Sequence, residues 1–194
     1  MFKKGILVVC TLTLTSLALT GLALPALAQD MDSLKSEAAK TTAGFGEALK
    51  EELVNAMSAQ GPVAAIGVCN EKAPAIAKAK SQDGWQVGRT SLKLRNQKNA
   101  PDAWEQATLA EFEARKAKGE APDKLAKAEI VTVNGQKSFR FMKAIPTAPM
   151  CLNCHGKELK PEVSAKLDAL YPNDHARGFA DGDLRGAFTL SKKL

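Results

Sequence analysis

From Met31 to Gln60 apolar side chains recur about every third or fourth position, at Leu34, Ala38, Phe45, Leu49, Leu53, Ala56 and Met57. This spacing predicts a long amphipathic helix, loosened near Gly44 and Gly46. Pro62, directly after Gly61, is a good first helical residue. Behind it Ala64, Ala65, Ile66, Val68 and Cys69 form an apolar patch at helical spacing. The two helices make an N-terminal helical hairpin. The stretch GWQVGRTSLKLRN (residues 84–96) alternates and predicts a strand. Pro101-Asp102 opens a further helix that ends at Gly119. The runs AEIVTV and QKSFRFMKAI alternate on either side of Asn134-Gly135, the strongest short signal for a β-hairpin. In the second run Phe139, Phe141 and Lys143 share one face, and Ser138, Arg140 and Met142 the other. Pro161 starts a short helix, and LRGAFTL (residues 184–190) is a last strand. Helices come first, then an antiparallel sheet with a loop inserted before its final strand, which is an α+β arrangement.

The N-terminus reads differently. Lys3 and Lys4 precede an uncharged apolar run from Ile6 to Leu24, and Ala26 and Ala28 give an A-x-A ending. That is the pattern of a secretory signal peptide, with cleavage expected after Ala28. Residues 29–194 are then expected to form a single domain, in the periplasm, and Cys10 leaves with the leader. The net charge of +6 is mild and the basic residues are interspersed with acidic ones, so nothing resembles a nucleic-acid groove. No further apolar run is long enough to span a bilayer, and no membrane association is expected after cleavage.

Three cysteines remain, Cys69, Cys151 and Cys154, an odd number that calls for an explanation in an exported protein. Cys151-Leu-Asn-Cys154-His155 is C-x-x-C-H, the spacing for covalent attachment of one c-type haem. The two thiols add to the two vinyl groups on one porphyrin edge, and the next residue places its imidazole for axial binding to iron. A structural zinc site would want four protein ligands, and no second Cys-x-x-Cys pair exists. A thioredoxin-like pair would open a helix after a strand, whereas this motif follows the Pro-rich AIPTAPM.

For the second axial position the candidates are His175, Cys69, Met57, Met142 and Met150. Met142 sits in a strand pattern, where packing is the usual role. Met150 adjoins the motif and is expected on the wrong side. His175 lies in a polar loop, where a histidine is ordinarily solvated. Cys69 is by composition a small core residue, yet an unpaired thiol in an oxidising compartment is a liability unless something occupies it. Haem propionates need cationic and amide donors. Arg89, Arg95, Asn96 and Asn99 cluster at a strand end and are candidates, with Arg140 and Arg185 behind them. Solvated ion pairs are the ordinary alternative for such arginines. DGDLRG reads as a turn, without EF-hand spacing.

AIGVCNEKAPAIA, VGRTSLKLRNQKNAPDAWE, AIPTAPMCLNCHG and YPNDHARGFADGDLRGAFTL, in this order, cover nearly all of residues 29–194. Together they resemble an exported monohaem c-type cytochrome family, first catalogued as a domain of unknown function. The resemblance implies a PAS-like antiparallel sheet flanked by helices. It also implies iron held by the histidine of C-x-x-C-H and by the cysteine of the AI-x-V-C helix, here His155 and Cys69. His175 falls at a variable place of the family pattern. The family occurs both as stand-alone exported proteins and as extracytoplasmic parts of signalling proteins. The expected function is therefore a redox- or gas-responsive haem sensor that passes its signal to a separate redox or signalling protein, with a diatomic gas as a ligand of the reduced haem. A low-potential electron carrier is the alternative. A haem enzyme would need a distal acid or base, and the sequence offers no such constellation.

Overall fold

The computed structural model describes residues 23–194, with side chains from Met31 onward except Val133, so most of the expected leader lies outside the described residues. Helix α1 (Ala23–Gly67) is interrupted at Gly61, whose φ of 79° and ψ of −175° leave the helical region, and Pro62 restarts it. A π-helical turn, Val68–Lys72, follows and leads into α2 (Ala73–Lys80). The expected loosening at Gly44 and Gly46 is not found, because α1 runs through both. Gly46 serves close packing instead. A Cβ there would lie 3.2 Å from Phe188 Cζ, and Phe188 packs edge-on against Phe45 with ring centroids 5.5 Å apart.

Strands β1 (Trp85–Thr90), β2 (Ala126–Val133), β3 (Gln136–Pro146) and β4 (Leu184–Lys193) form one antiparallel sheet in the order β1-β4-β3-β2. Asn134 and Gly135 turn the β2–β3 hairpin with φ of 51° and 79°, the left-handed pair that a two-residue loop demands. Strand alternation sorts the core as predicted. Phe139 and Phe141 pack with Leu34 and Ala38 of α1, while Met142 and Ala144 pack on the other face with Leu109 and Phe112. Those last two belong to α3 (Ala103–Ala117), which opens with a reciprocal cap. Asp102 accepts from the Glu105 N–H at 2.9 Å, and Glu105 accepts from the Asp102 N–H at 2.9 Å. Between β3 and β4 come the short α4 (Leu152–His155) and α5 (Pro161–Leu170). The architecture is α+β, an antiparallel sheet flanked by helices, as expected. No helix among the described residues is long and apolar enough to cross a membrane.

One element departs from the sequence pattern. The strand expected over residues 84–96 ends at Thr90, which pairs with Ala187. The next residue of β4, Gly186, has φ 154°, and a Cβ there would collide with the Thr90 carbonyl oxygen and Ser91. The β3–β4 register slips at the same place. Gly186 faces Ile145 and Leu184 faces Pro146, so Arg185 is bulged out of the ladder. Bulges of this kind redirect a side chain and end strand pairing. Residues 91–96 accordingly leave the sheet.

Candidate functional site

A cleft of about 220 Å³, partly open to solvent, lies where five stretches of chain meet. The far half of α1 and the π turn supply Leu53, Met57, Ala65, Ile66 and Cys69. The end of β1 and the segment after it supply Arg89, Ser91, Leu94, Arg95, Asn96 and Asn99. Ile145, Met150, Cys151, Cys154 and His155 come from the end of β3 and the turns behind it, Tyr171 from the end of α5, and Arg185 and Gly186 from the β4 bulge. Cys69, Cys151 and Cys154 are all free and half-buried, so the C-x-x-C pair is not a disulfide here. Among the described residues no group of three or more His, Cys, Asp or Glu side chains could hold a metal ion.

His155 is fixed through its ring nitrogens. Nδ1 donates to the Ala176 carbonyl at 2.7 Å, which leaves Nε2 as the acceptor nitrogen facing the cleft. Nε2 lies 3.4 Å from Arg95 Nη1 and 3.4 Å from Arg185 Nε. Burial, then the guanidinium groups of Arg185 and Arg95, push the imidazole pKa down to about 2. His155 is therefore a neutral base with a fixed tautomer, the form in which histidine ligates metals. Burial likewise raises the Cys154 thiol. Arg185, desolvated and close to Arg95 and Arg89, falls to about 10.

Arg95 is the anchor of this arrangement, with 8% of its side chain exposed. Its Nε and Nη2 donate to the two carboxylate oxygens of Asp174 at 3.2 and 3.1 Å. Nη2 also reaches the carbonyls of Cys154 at 2.5 Å and Ala176 at 3.2 Å. Asp174 in turn accepts from the Ala176 N–H and from Arg177, each at 2.9 Å. The buried pair thus ties the carbonyl that accepts from His155 and the C-x-x-C-H turn into one unit. The Arg95 guanidinium is engaged with these partners while it also lines the cleft. Arg89 lines the cleft with no side-chain hydrogen bond to another described residue and is the available guanidinium.

The other candidates sort clearly. Met142 is fully buried in the α3-side core, as its strand position predicted. Met57 and Met150 both line the cleft. His175 is exposed and absent from the cleft lining, although its backbone N–H bonds the Leu94 carbonyl at 2.7 Å. Arg140 is elsewhere, paired with Asp102 at 2.6 Å and Glu105 at 3.1 Å. Sequence reasoning did not single out Tyr171 or Asp174. Both stand in YPNDHA, and the polar character of that loop was the one available signal.

The family model of the Tll0287-like proteins matches residues 25–192. The chain belongs to the Tll0287-like family. Among solved structures it is similar to the cyanobacterial haem protein Tll0287, with 22% identity and a TM-score of 0.59 over 86% of this chain and 96% of that one. That likeness establishes the fold. No curated protein matches.

Proposed function

We propose that this protein is an exported, periplasmic c-type haem protein of the Tll0287-like family. One haem is joined to Cys151 and Cys154, and its iron is held between His155 and Cys69. The observation that carries the reading is the convergence in one cleft of a C-x-x-C-H turn with a neutral, oriented imidazole and a third, unpaired thiol from a distant helix. Three further features fit the group. Leu53, Met57, Ile66, Leu94 and Ile145 give apolar walls for a porphyrin. Arg89, Arg95 and Arg185 leave an excess of positive charge suited to propionates and a thiolate. The buried hydroxyl of Tyr171 has no hydrogen-bond partner among the described residues. The family's namesake is itself described as a haem protein.

A haem bound here supplies a one-electron couple. His155 offers Nε2, whose contacts to the two arginines are long and weak. Arg185 has alternative acceptors in Ser91 Oγ and the Lys93 carbonyl. Cys69 offers sulfur from a π-helical turn, a distortion frequent at functional sites. A thiolate favours the oxidised iron, which sets a low potential relative to histidine–methionine ligation. Cys69 is thus the ligand that reduction would loosen, and the π turn that carries it would then be free to move. That would link redox state to shape, as a sensor requires, with a diatomic gas as the ligand of the reduced haem. The signal passes to a separate protein. The partly open cleft favours a second reading, single-electron transfer, in which both ligands stay in place.

The test is a spectroelectrochemical titration of wild type and Cys69→Ala, with and without CO and NO. Thiolate-type absorption and EPR features that vanish in Cys69→Ala are expected, together with gas uptake by the reduced wild type. Identical spectra for the two proteins refute sulfur ligation. A reversible couple with no ligand loss and no gas uptake refutes sensing and leaves the carrier.

A further inference from the structure

We propose that the outer edge of β2 is a self-association surface, on which a second copy of this chain adds its own β2, antiparallel, about a two-fold axis at Ala128. The inference is independent of the haem reading. The sheet has two edges, and the fold treats them differently. On β1 the Trp85 N–H donates to the Gln82 carbonyl at 2.9 Å and the Val87 N–H to Ser81 Oγ at 3.0 Å. On β2 the Leu125 carbonyl accepts from the Ala144 N–H at 3.0 Å, and hydrogen-bonded positions alternate along an antiparallel pair. Lys127, Glu129 and Val131 therefore turn their backbone groups toward β3, and Ala126, Ala128 and Ile130 turn theirs outward. The Ala126 carbonyl takes Arg115 Nη1 at 3.3 Å. The outward groups of Ala128 and Ile130 have no hydrogen-bond partner among the described residues.

An open edge is a template for another strand, and proteins ordinarily blunt it with proline, a bulge or an unanswered charge. β2 contains no proline and pairs with β3 without a register shift. Its two charges, Lys127 and Glu129, stand on one face of the sheet, one on each side of Ala128. This spacing selects a second copy as the occupant. With the axis at Ala128, each Lys127 lies opposite Glu129 of the second copy, in the closer, non-hydrogen-bonded kind of pair, where opposite charges attract. In the single chain Lys127 is held by Glu111 at 2.8 Å and reaches Glu129 only at 3.9 Å, and the second copy brings it a further carboxylate. On the other face Ile130, 38% exposed, meets Ala126 of the second copy. An axis at Ile130 would set Glu129 against Val131 and leave both charges unanswered. No residue of β2 lines the cleft, so the join does not use it.

Sedimentation equilibrium of the purified protein tests this. Wild type is expected to show a monomer–dimer equilibrium, with the Ala128 and Ile130 amides exchanging more slowly with deuterium as concentration rises. Ala128→Pro removes an outward N–H and no bond to β3, and should give a monomer with the circular dichroism of wild type. Lys127→Glu should raise the dimer Kd about tenfold, since two attractive cross-strand pairs become repulsive. Lys127→Glu combined with Glu129→Lys exchanges the charges and should restore the dimer. A wild type that stays monomeric at every concentration overturns the proposal and leaves the edge to a strand of another protein. A dimer that survives Ala128→Pro lies on another surface and also overturns it. Loss of the dimer in Lys127→Glu without recovery in the exchanged variant overturns the axis at Ala128. Where Ala128→Pro does not fold, the two charge variants decide alone.

Discussion

Replacing Arg95 with methionine removes one half of the buried pair that holds the C-x-x-C-H turn. The Arg95 and Asp174 side chains are 8% and 2% exposed. Removing one partner of such a pair costs about 3–5 kcal/mol, because the other charge stays behind. Asp174 would keep Arg177 and the Ala176 N–H, each at 2.9 Å, so the lower end, about 3 kcal/mol, applies. For a chain of this size that lowers Tm by about 6–12 °C. Acid provides an independent arm. Burial raises the Asp174 carboxyl, but hydrogen bonds from Arg95, Arg177 and the Ala176 N–H outweigh it and hold the group below its ordinary value. A depressed folded pKa gives stability that is present above the unfolded value, near 3.9, and is lost as pH falls through the folded one. The gap between wild type and Arg95→Met should therefore be full at pH 7 and close below about pH 4. Thermal melts of the haem-loaded proteins followed by circular dichroism across that range measure it. A gap under about 1 kcal/mol at neutral pH, the value of an exposed pair, or one that does not narrow with acid, refutes the account.

Cys151→Ser combined with Cys154→Ser should give a chain with the mass of the bare polypeptide after denaturation, whatever the haem supply, and intact-mass spectrometry reads this directly. Gly186→Ala forces a Cβ into the Thr90 carbonyl at φ 154°. It should cost at least about 1–3 kcal/mol of strain and lower the yield of haem-loaded protein, by urea titration and absorbance. Phe139→Ala empties a fully buried site on the α1 face of the sheet and should cost about 3–5 kcal/mol in the same titration, without changing the ligand spectrum of the folded fraction.

Where local chemistry decides, the sequence was sufficient. Asn134-Gly135 specifies a two-residue turn wherever it stands between alternating runs, and Asp102 and Glu105 cap one another across three residues. Cys151, Cys154 and His155 are adjacent, so their spacing carries their chemistry. What depended on distant partners was hidden. Residues 91–96 continue the alternation of β1, but the ladder stops because β4 bulges at Arg185, a property of a strand near the other end of the chain. Gly44 and Gly46 look like helix breakers, yet the helix persists because a phenylalanine ring occupies the space of one missing Cβ. Arg95 has the residue type of a propionate ligand, and its pairing with Asp174, far along the chain, could not be read from its neighbours. Tyr171 carried no signal beyond the polar loop it opens, since it packs with Ile66 and Cys154 from distant parts of the chain.

The last strand in the chain is an inner strand of the sheet, lying between β1 and β3. A polypeptide threaded N-terminus first through a narrow passage therefore holds its sheet as two unjoined pieces until the final ten residues of β4 arrive. During that interval the cleft lacks Arg185 and Gly186, while Cys151 and Cys154 are already in place. On the proposed covalent attachment, this order of residues leaves both thiols open to an attaching enzyme before β4 completes the wall.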